Sequence, residues 1–422
     1  MTAARARLSR ALAAAAATVL LAACGLSDSG GDAPEPVAGS EAPAAASGSA
    51  TPADADGEDA DDGEDANDAD ADGHDHAGHP TRLKPLRAGE KRMTLEMPAA
   101  YTPSAPNGVG TDDYRCFLLD PKLAKDVFLT GFNILPGNPD VVHHVILFRV
   151  PPGQLERART LDAAEDGQGW TCFGGVGVDQ GTRLDDAPWL GAWAPGGTES
   201  VTSAGFGTRM TKGSRIVMQV HYNLLAGTSP DTSATQLRTM PADAGLTPLQ
   251  TMLLPAPVEL PCRPDHDDSP LCDREASIVD VKNRFGAEAG STNDLLYFLC
   301  GGQPVAAETT SCTQTISRPT TIRAVAGHMH LLGREIRIEV NPGTPRARTV
   351  LDIPTWDFDN QKSRPIEPVH LNPFDTVKVT CRHVQWLRDR LPSFEGQPDR
   401  YVAWGEGTTD EMCLGILTVT RP

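Results

Sequence analysis

The chain has 422 residues, nine cysteines and a formal net charge of −19. Most of that charge lies between residues 11 and 81, where sixteen acidic residues occur without any Lys or Arg, so the remainder is only mildly acidic. Because the chain has neither a basic stripe nor a nucleic-acid-binding motif, these features exclude nucleic acid as a partner.

The N-terminal residues have the pattern of a bacterial secretion signal. Three arginines precede an Ala/Leu/Val run over residues 11–21, which is too short to span a bilayer as a mature helix. The run ends in LAACG, similar to signals whose cysteine is lipidated. We expect residues 1–24 to be a lipoprotein signal peptide, and Cys24 to anchor the exported protein to the outer face of the cell membrane. An ordinary signal with a chance cysteine is the alternative.

An acidic linker is expected next, over residues 25–90. Its many acidic residues, without a Lys or Arg up to residue 81, predict disorder, and it would serve as a solvated tether between membrane and folded part. The tract His74, His76 and His79 in this linker can loosely collect copper or zinc. A polar linker without any role is the other interpretation of this tract.

The remaining residues predict an all-β fold of two antiparallel, jelly-roll-like β-sandwich domains. Short β-branched runs recur between Pro and Gly residues, and a Pro-rich stretch near residue 250 marks the boundary between domains 91–248 and 249–422. The runs cover 127–132, 141–150, 215–223, 320–326, 335–340, 376–381 and 414–420.

Without Cys24, eight cysteines remain, and an even set on an exported chain suggests up to four disulfides. The segment 262–312 has the composition of an irregular insertion in the second domain. Within it, Cys262 with Cys272 and Cys300 with Cys312 are near enough in sequence to pair. The other pairings stay open on spacing alone.

Five of the eleven histidines occur in groups on strand-like runs. Adjacent strand residues point to opposite faces, so His143 and His144 can share one metal ion only at a twist or bulge, or through different ring nitrogens. Gln219 and His221 share the face opposite the aliphatic residues of their run. Taken alone, the adjacent pair His143 and His144 is weak evidence for a metal site. A lone histidine such as His221 is more often structural.

A third group is His328-Met329-His330. On a strand, this spacing places both imidazoles on one face as a two-armed metal clamp. Met412 follows a turn-rich stretch and directly precedes Cys413. A single methionine is ordinarily core filler, but beside such a pair its thioether is a soft ligand that favours Cu(I) over zinc.

The order of these groups resembles the copper type II, ascorbate-dependent monooxygenases, which include peptidylglycine alpha-hydroxylating monooxygenase and dopamine beta-monooxygenase. The resemblance spans residues 95–422. Its motifs are His143-His144, His221 in Gln-Val-His-Tyr, His328-x-His330 followed by Leu-Gly-Arg, and Met412 in Thr-Asp-Glu-Met-Cys.

The resemblance implies two copper ions with different ligands. The electron-transfer copper would be held by His143, His144 and His221. The copper that binds oxygen beside the substrate would be held by His328, His330 and Met412.

The resemblance also implies that disulfides Cys116–Cys172 and Cys381–Cys413 brace the two sites. The implied reaction uses dioxygen and two electrons, from ascorbate or another one-electron reductant, to hydroxylate a substrate C–H bond and release water. The partners would be a small molecule and dioxygen, and the protein a monomer with no membrane contact beyond its anchor.

The substrate end departs from the peptide-amidating members of the family. Ala326 stands where they have an arginine for the substrate carboxylate, and Leu414 and Ile416 stand where they have Asn and Tyr. Tyr114 and Gln219 match polar residues near the family's site. We therefore expect these four positions, Tyr114, Gln219, Leu414 and Ile416, to bind a small or apolar substrate, and we do not expect peptide amidation.

Two other functions fit part of the sequence. His328-x-His330 with Glu335 resembles the cupin pattern of oxygenases and isomerases, but that interpretation leaves the other histidines and Met412 without a role. A cell-surface lipoprotein that stores or delivers copper would use the acidic tail as a collector, although storage does not require two differently liganded sites. We expect His266, His370 and His383 to be structural or exposed, with His370 in a Pro-flanked loop and His383 near Met412 if Cys381 pairs with Cys413.

Overall fold

Short strands dominate the structure, and the β-branched runs of the sequence form many of them. The computed structural model describes residues 83–106, 108, 110–173, 175–178 and 184–422. These residues belong to one compact unit, 72–422. The predicted signal peptide, Cys24, and the tract His74, His76 and His79 lie outside the described residues.

Two sheets form a first sandwich before residue 249. A six-stranded sheet contains β1 (Lys91–Glu96), β3 (Val127–Leu135), β7 (Ser200–Val201), β8 (Phe206–Met210), β10 (Ala234–Pro241) and β11 (Thr247–Pro248). A five-stranded sheet has the order β5 (Trp170–Thr171), β2 (Asp112–Leu119), β9 (Arg215–Asn223), β4 (Val142–Val150) and β6 (Trp189–Trp193). Apolar side chains from both sheets, such as Phe132 and Val220, share one core.

Two further four-stranded sheets form a second sandwich. One has the order β12 (Gln250–Ala256), β21 (Cys413–Thr420), β15 (Thr320–His328) and β18 (Arg364–Leu371). The other has the order β14 (Thr309–Thr315), β19 (Thr376–His383), β16 (Gly333–Val340) and β17 (Arg348–Ile353). A short pair joins β13 (Glu259–Leu260) and β20 (Val402–Ala403).

The all-β prediction is confirmed, since each predicted run lies on a strand of one of these sheets. The paired strands are antiparallel except β11 with β8. Ile338 and Leu417 are among the buried side chains of the second core. An isolated bridge between Ala187 and Thr251 joins the two groups of sheets.

The segment 262–312 differs from the prediction of irregular structure. It forms α2 (Arg274–Phe285) and α3 (Ala287–Cys300), while α1 (Leu155–Ala163) lies in the first sandwich. The Asp273 side chain caps α2 by accepting a hydrogen bond from the Ala276 amide. Ile278, Val281 and Phe285 are buried at helical spacing. None of the described helices has the length and hydropathy needed to cross a membrane.

All four predicted disulfides are confirmed. They join Cys116 to Cys172, Cys262 to Cys272, Cys300 to Cys312 and Cys381 to Cys413. Four structural disulfides indicate a protein that is exported to an oxidising compartment.

Residues 84–90, which fall in the predicted linker, make buried contacts with the first sandwich. The Glu90 side chain is buried and forms an ion pair with Arg238. The Lys84 amide donates to Glu199 over 2.5 Å. These contacts attach this part of the chain to the six-stranded sheet, because both Arg238 and Glu199 are themselves buried.

Candidate metal centres

A β-bulge places His143 and His144 on the same side of the first sandwich. The register between β4 and β9 pairs Val142 with Tyr222 and His144 with His221, and it shifts at the intervening His143. The extra residue cancels the alternation that would otherwise send the two side chains to opposite faces. Of the possibilities the sequence left open, the bulge is the one present.

The three rings of the first imidazole group, His143, His144 and His221, approach one another through their Nδ1 atoms. The Nδ1 atom of His221 lies 3.1 Å from that of His143 and 3.1 Å from that of His144. The remaining pair, His143 and His144, is 3.4 Å apart. These are the described residues whose ligand atoms cluster closely enough to hold one metal ion. Three nitrogens around a metal at about 2.0 Å would lie about 3.5 Å apart, close to the observed spacing.

Asp112 determines the tautomer of His221. Its Oδ1 lies 2.8 Å from His221 Nε2, and an ionised carboxylate only accepts hydrogen bonds. Nε2 therefore carries the proton and Nδ1 presents a lone pair toward the other two imidazoles. Burial raises the pKa of Asp112, but hydrogen bonds from His221 and Thr408 outweigh burial and lower it to about 2. A carboxylate behind the ring is the usual outer partner of a metal-binding histidine.

Burial keeps the neighbouring imidazoles neutral. It lowers the pKa of His143 and of His144 well below the usual value, and the nearby histidines lower both further. Neutral imidazole is the form that binds metals. The donor set, which is three imidazole nitrogens, fits copper or zinc better than calcium or magnesium.

The second imidazole group is His328 and His330, with ring centroids 5.1 Å apart. His328 ends β15, whereas His330 lies beyond the strand, so the prediction that both occupy one strand is wrong for His330. The strand ends there because the chain turns at residues 331–332 before β16. The two rings meet at 82°, which is not the parallel arrangement of i and i+2 residues on a regular strand.

Hydrogen bonds orient both rings of the second group. His328 Nδ1 donates to the Gln361 side-chain oxygen over 2.6 Å, and His330 Nδ1 donates to the Asp410 carbonyl oxygen over 3.2 Å. Each Nε2 then carries the lone pair. The second group thus presents the opposite ring nitrogen from the first. Burial and the neighbouring His330 lower the pKa of His328 to about 4.

Met412 is held beside the second group by its own backbone. Glu411 accepts hydrogen bonds from the amides of His330 (2.9 Å) and Met412 (3.2 Å). His383 Nε2 lies 3.0 Å from the Met412 carbonyl oxygen, so the expected proximity of His383 to Met412 is confirmed. The Met412 side chain is 8% exposed, directly before the disulfide at Cys413.

The two groups lie next to each other. The rings of His144 and His328 have centroids 6.3 Å apart, and His143 stacks on Phe358 at 4.9 Å. His143, His144 and His328 are partly exposed, while His221 and His330 are buried. One side of the paired groups is therefore partly exposed, and the other side is closed by protein.

The four predicted substrate residues divide into two pairs. Tyr114 is buried, stacks on His221 at 4.1 Å and donates to the Glu406 carbonyl oxygen. Gln219 is buried against Cys172, whose carbonyl oxygen accepts from its side chain. Leu414 is a buried core residue next to His328 in the strand register, and Ile416 is partly buried. Their contact with a substrate stays a prediction.

The outlying histidines have other partners. His370 lies on β18 and not in a loop as predicted, because β18 extends to Leu371, and its Nδ1 is 2.9 Å from the Thr321 hydroxyl. His266 lies 3.0 Å from Arg263. No sequence pattern identifies Asp112 and Gln361, which contact the imidazoles, or Thr408, which contacts Asp112. Each of these residues comes from a segment distant in sequence from the histidine it serves.

We expect the metal-free protein to lose stability as the pH falls from 6.5 toward 4. His143, His144, His328 and His330 have lower pKa values in the folded chain than the ordinary 6.5, so in this window the unfolded chain binds more protons. The check is the urea midpoint of chelator-treated protein at pH 7 and pH 5, where carboxylates remain ionised. His328→Gln should reduce the difference between the urea midpoints at the two pH values. Equal midpoints of the parent protein at pH 7 and pH 5 would contradict the expectation.

Comparison with known proteins identifies no relative by sequence. No protein-family model matches the chain, and no curated protein matches it. Paenibacillus xanthan lyase aligns at 10% identity and TM-score 0.18, over 78% of this chain and 25% of that one. The VP2 subviral particle of infectious bursal disease virus aligns at 9% and 0.19, over 79% and 72%. Bacillus subtilis oxalate decarboxylase aligns at 8% and 0.15, over 82% and 76%.

This chain spans about a quarter of the length of the xanthan lyase. All three TM-scores are far below 0.5, so these likenesses carry no argument about fold or function. The likeness to oxalate decarboxylase therefore gives no support to the cupin interpretation of the His328-x-His330 pattern.

Proposed function

We propose that the chain is a copper-dependent monooxygenase that hydroxylates a C–H bond of a small or apolar molecule. The observation that carries the proposal is the convergence of three imidazoles, through Nδ1, beside a second imidazole pair. This arrangement agrees with the motif order shared with the copper type II, ascorbate-dependent monooxygenases.

The ligand types support copper. Three imidazole nitrogens suit an ion that changes between two oxidation states, and a thioether such as Met412 favours the reduced form. Bound copper would supply the one-electron chemistry by which dioxygen, two electrons and two protons convert a substrate C–H bond to C–OH and release water. Ascorbate or another one-electron reductant would supply the electrons.

The protein residues prepare both groups for this role. Asp112 fixes the His221 ring with Nδ1 inward, and Gln361 fixes His328 with Nε2 as the free nitrogen. Phe358 covers one face of His143. The partly exposed side of the groups admits dioxygen, reductant and substrate, while burial of His221 and His330 excludes water from the other side.

The exported protein is proposed to be held at the outer face of the cell membrane by lipid on Cys24. The acidic segment between that cysteine and the folded part would keep the two sandwiches away from the anionic bilayer surface.

The test is a measurement of copper per chain together with reductant-dependent oxygen uptake. We expect two coppers in the parent and ascorbate-driven uptake of oxygen. Met412→Ala should keep the first copper, bind the second more weakly and lose turnover, since the soft ligand is removed. The control is Met240→Ala, a partly exposed methionine on β10.

Other outcomes distinguish the alternatives. Two coppers without oxygen uptake would support copper storage or delivery by a surface protein. A single tightly bound metal that is unaffected by Met412→Ala would overturn the proposal and favour a cupin-type oxygenase at His328 and His330.

A further inference from the structure

We propose that Thr408 is a positioning residue of the first imidazole group, acting through Asp112 across the junction of the two sandwiches. Residues 406–412, called here the bridge segment, carry hydrogen bonds to both imidazole groups. This inference rests on the proposed function, because it concerns how strongly the first group holds copper.

One end of the bridge segment reaches the first group. Thr408 donates to Asp112 Oδ1 twice, from its hydroxyl over 2.8 Å and from its amide over 3.2 Å. The same oxygen lies 2.8 Å from His221 Nε2. Thr408 and Asp112 are 296 residues apart in sequence and both are buried. The carboxylate oxygen that orients His221 is therefore held by a residue that precedes the last strand of the other sandwich.

A second contact supports the same ring. The Tyr114 hydroxyl donates to the Glu406 carbonyl oxygen over 2.7 Å, and the Tyr114 ring stacks on His221 at 4.1 Å. The bridge segment thus constrains His221 at its edge through Asp112 and at its face through Tyr114. Two such constraints leave the ring little freedom to rotate about its own side-chain torsions.

The other end of the bridge segment reaches the second group. The Asp410 carbonyl oxygen accepts from His330 Nδ1, and the Glu411 carboxylate accepts from the amides of His330 and Leu332. Only three residues, 408–410, therefore span from Thr408, which supports the first imidazole group, to Asp410, which contacts the second. Their separation is short enough that a shift of the backbone at one end moves the other.

A buried ion-pair network keeps the bridge segment in place. Arg284 of α2 donates to both carboxylate oxygens of Asp410, over 2.8 and 2.6 Å. Arg284 and Arg400 also pair with Asp280. Because Arg284 and Asp410 are 8% and 3% exposed, respectively, this pair is shielded from solvent. The helical insertion thereby holds the segment that serves both imidazole groups.

The test compares Thr408→Val, which has nearly the same shape but lacks the hydroxyl donor, with Thr408→Ser, which keeps it. Both are made in a His328→Ala background, so that copper binding reports the first group alone. We expect Thr408→Val to weaken copper binding about 10–100-fold in competition with a Cu(I) chelator, the usual cost of losing an outer partner of a ligand. Thr408→Ser should bind like its parent.

The matched control is Thr409→Val, since Thr409 is a buried neighbour whose hydroxyl has no part in these hydrogen bonds. A metal-independent measurement accompanies the titration: the imidazole N–H signal of His221 in metal-free protein labelled at histidine nitrogens. We expect Thr408→Val to shift or broaden the Nε2–H signal, and Thr408→Ser and Thr409→Val to leave it in place.

The outcomes separate this inference from the proposed function. If the parent binds copper but Thr408→Val matches Thr409→Val in affinity and in the His221 signal, the inference is overturned and the proposed function stands. If the parent binds no copper, the proposed function fails, and the His221 signal still decides whether Thr408 positions the ring.

Discussion

Replacement of His144 by alanine should remove one of the two coppers and abolish reductant-driven oxygen uptake. Its Nδ1 atom is one of three that converge within 3.4 Å, so the variant leaves two donors where three had been. Loss of a direct ligand should exceed the roughly 10–100-fold cost of losing an outer partner. The measurement is copper per chain after dialysis, followed by oxygen uptake with ascorbate.

His370→Ala is the matched control for this experiment. His370 is exposed on β18, and its recorded contact is with the Thr321 hydroxyl. It should keep two coppers and full oxygen uptake. Retention of both coppers by His144→Ala would show that the first imidazole group is not a metal site.

Replacement of Arg238 by methionine should lower the free energy of unfolding by about 3–5 kcal/mol. The Arg238 side chain is 1% exposed, between Glu90 (0%) and Glu199 (1%). Burial raises the pKa of Glu90, but hydrogen bonds from Arg87 and Arg238 lower it to about 2. Removal of the guanidinium therefore takes away the one buried cation that contacts both carboxylates and leaves only the more exposed Arg87 and Arg92 beside them. Urea unfolding at pH 7 measures the loss.

The control for the buried pair is a surface pair of the same residue types. Arg337 and Asp352 are 51% and 50% exposed and lie 3.2 Å apart. Arg337→Met should change stability by about 0–1 kcal/mol, because solvent screens the charges. If the two variants cost the same, the ion pair between Arg238 and Glu90 would not be what attaches residues 84–90 to the sheet.

The strands and disulfides were accessible from the sequence because their signals are local. Alternating apolar residues in the run 215–223 specify a strand with two faces, and the structure buries Met218 and Val220 on one of them. Pairing of Cys262 with Cys272 follows from short separation. Pairing of Cys116 with Cys172 followed instead from a family resemblance, since their spacing alone decides nothing.

The helices of the insertion were missed although a local signal existed. Ile278, Val281 and Phe285 recur at helical spacing after the capping Asp273, but short cysteine spacings suggested irregular loops. The sequence predicts a strand through His330, because the H-x-H spacing carries no information about where a strand ends. In the structure the chain turns at residues 331–332, since the next strand, β16, begins at Gly333 and pairs with β19.

The residues that hold the imidazoles could not be found from the sequence. Asp112 serves His221 from 109 residues away, and Thr408 serves Asp112 from 296 residues away. An aspartate or threonine on its own carries no pattern, and only tertiary packing brings these side chains together. The candidate ligands were recognisable because histidine is rare and motif order constrains it, whereas their supports are common polar residues.

Because of the β-bulge at His143, the first imidazole group depends on the number of residues in β4 as well as on their identity. Deleting one residue from β4 would restore simple alternation and turn one imidazole away, even with every histidine still encoded. A single-codon insertion in an ordinary strand carrying two adjacent histidines would do the reverse. Such an insertion is a single genetic event. Related chains in which β4 lacks the extra residue should also lack the arrangement of three converging histidines.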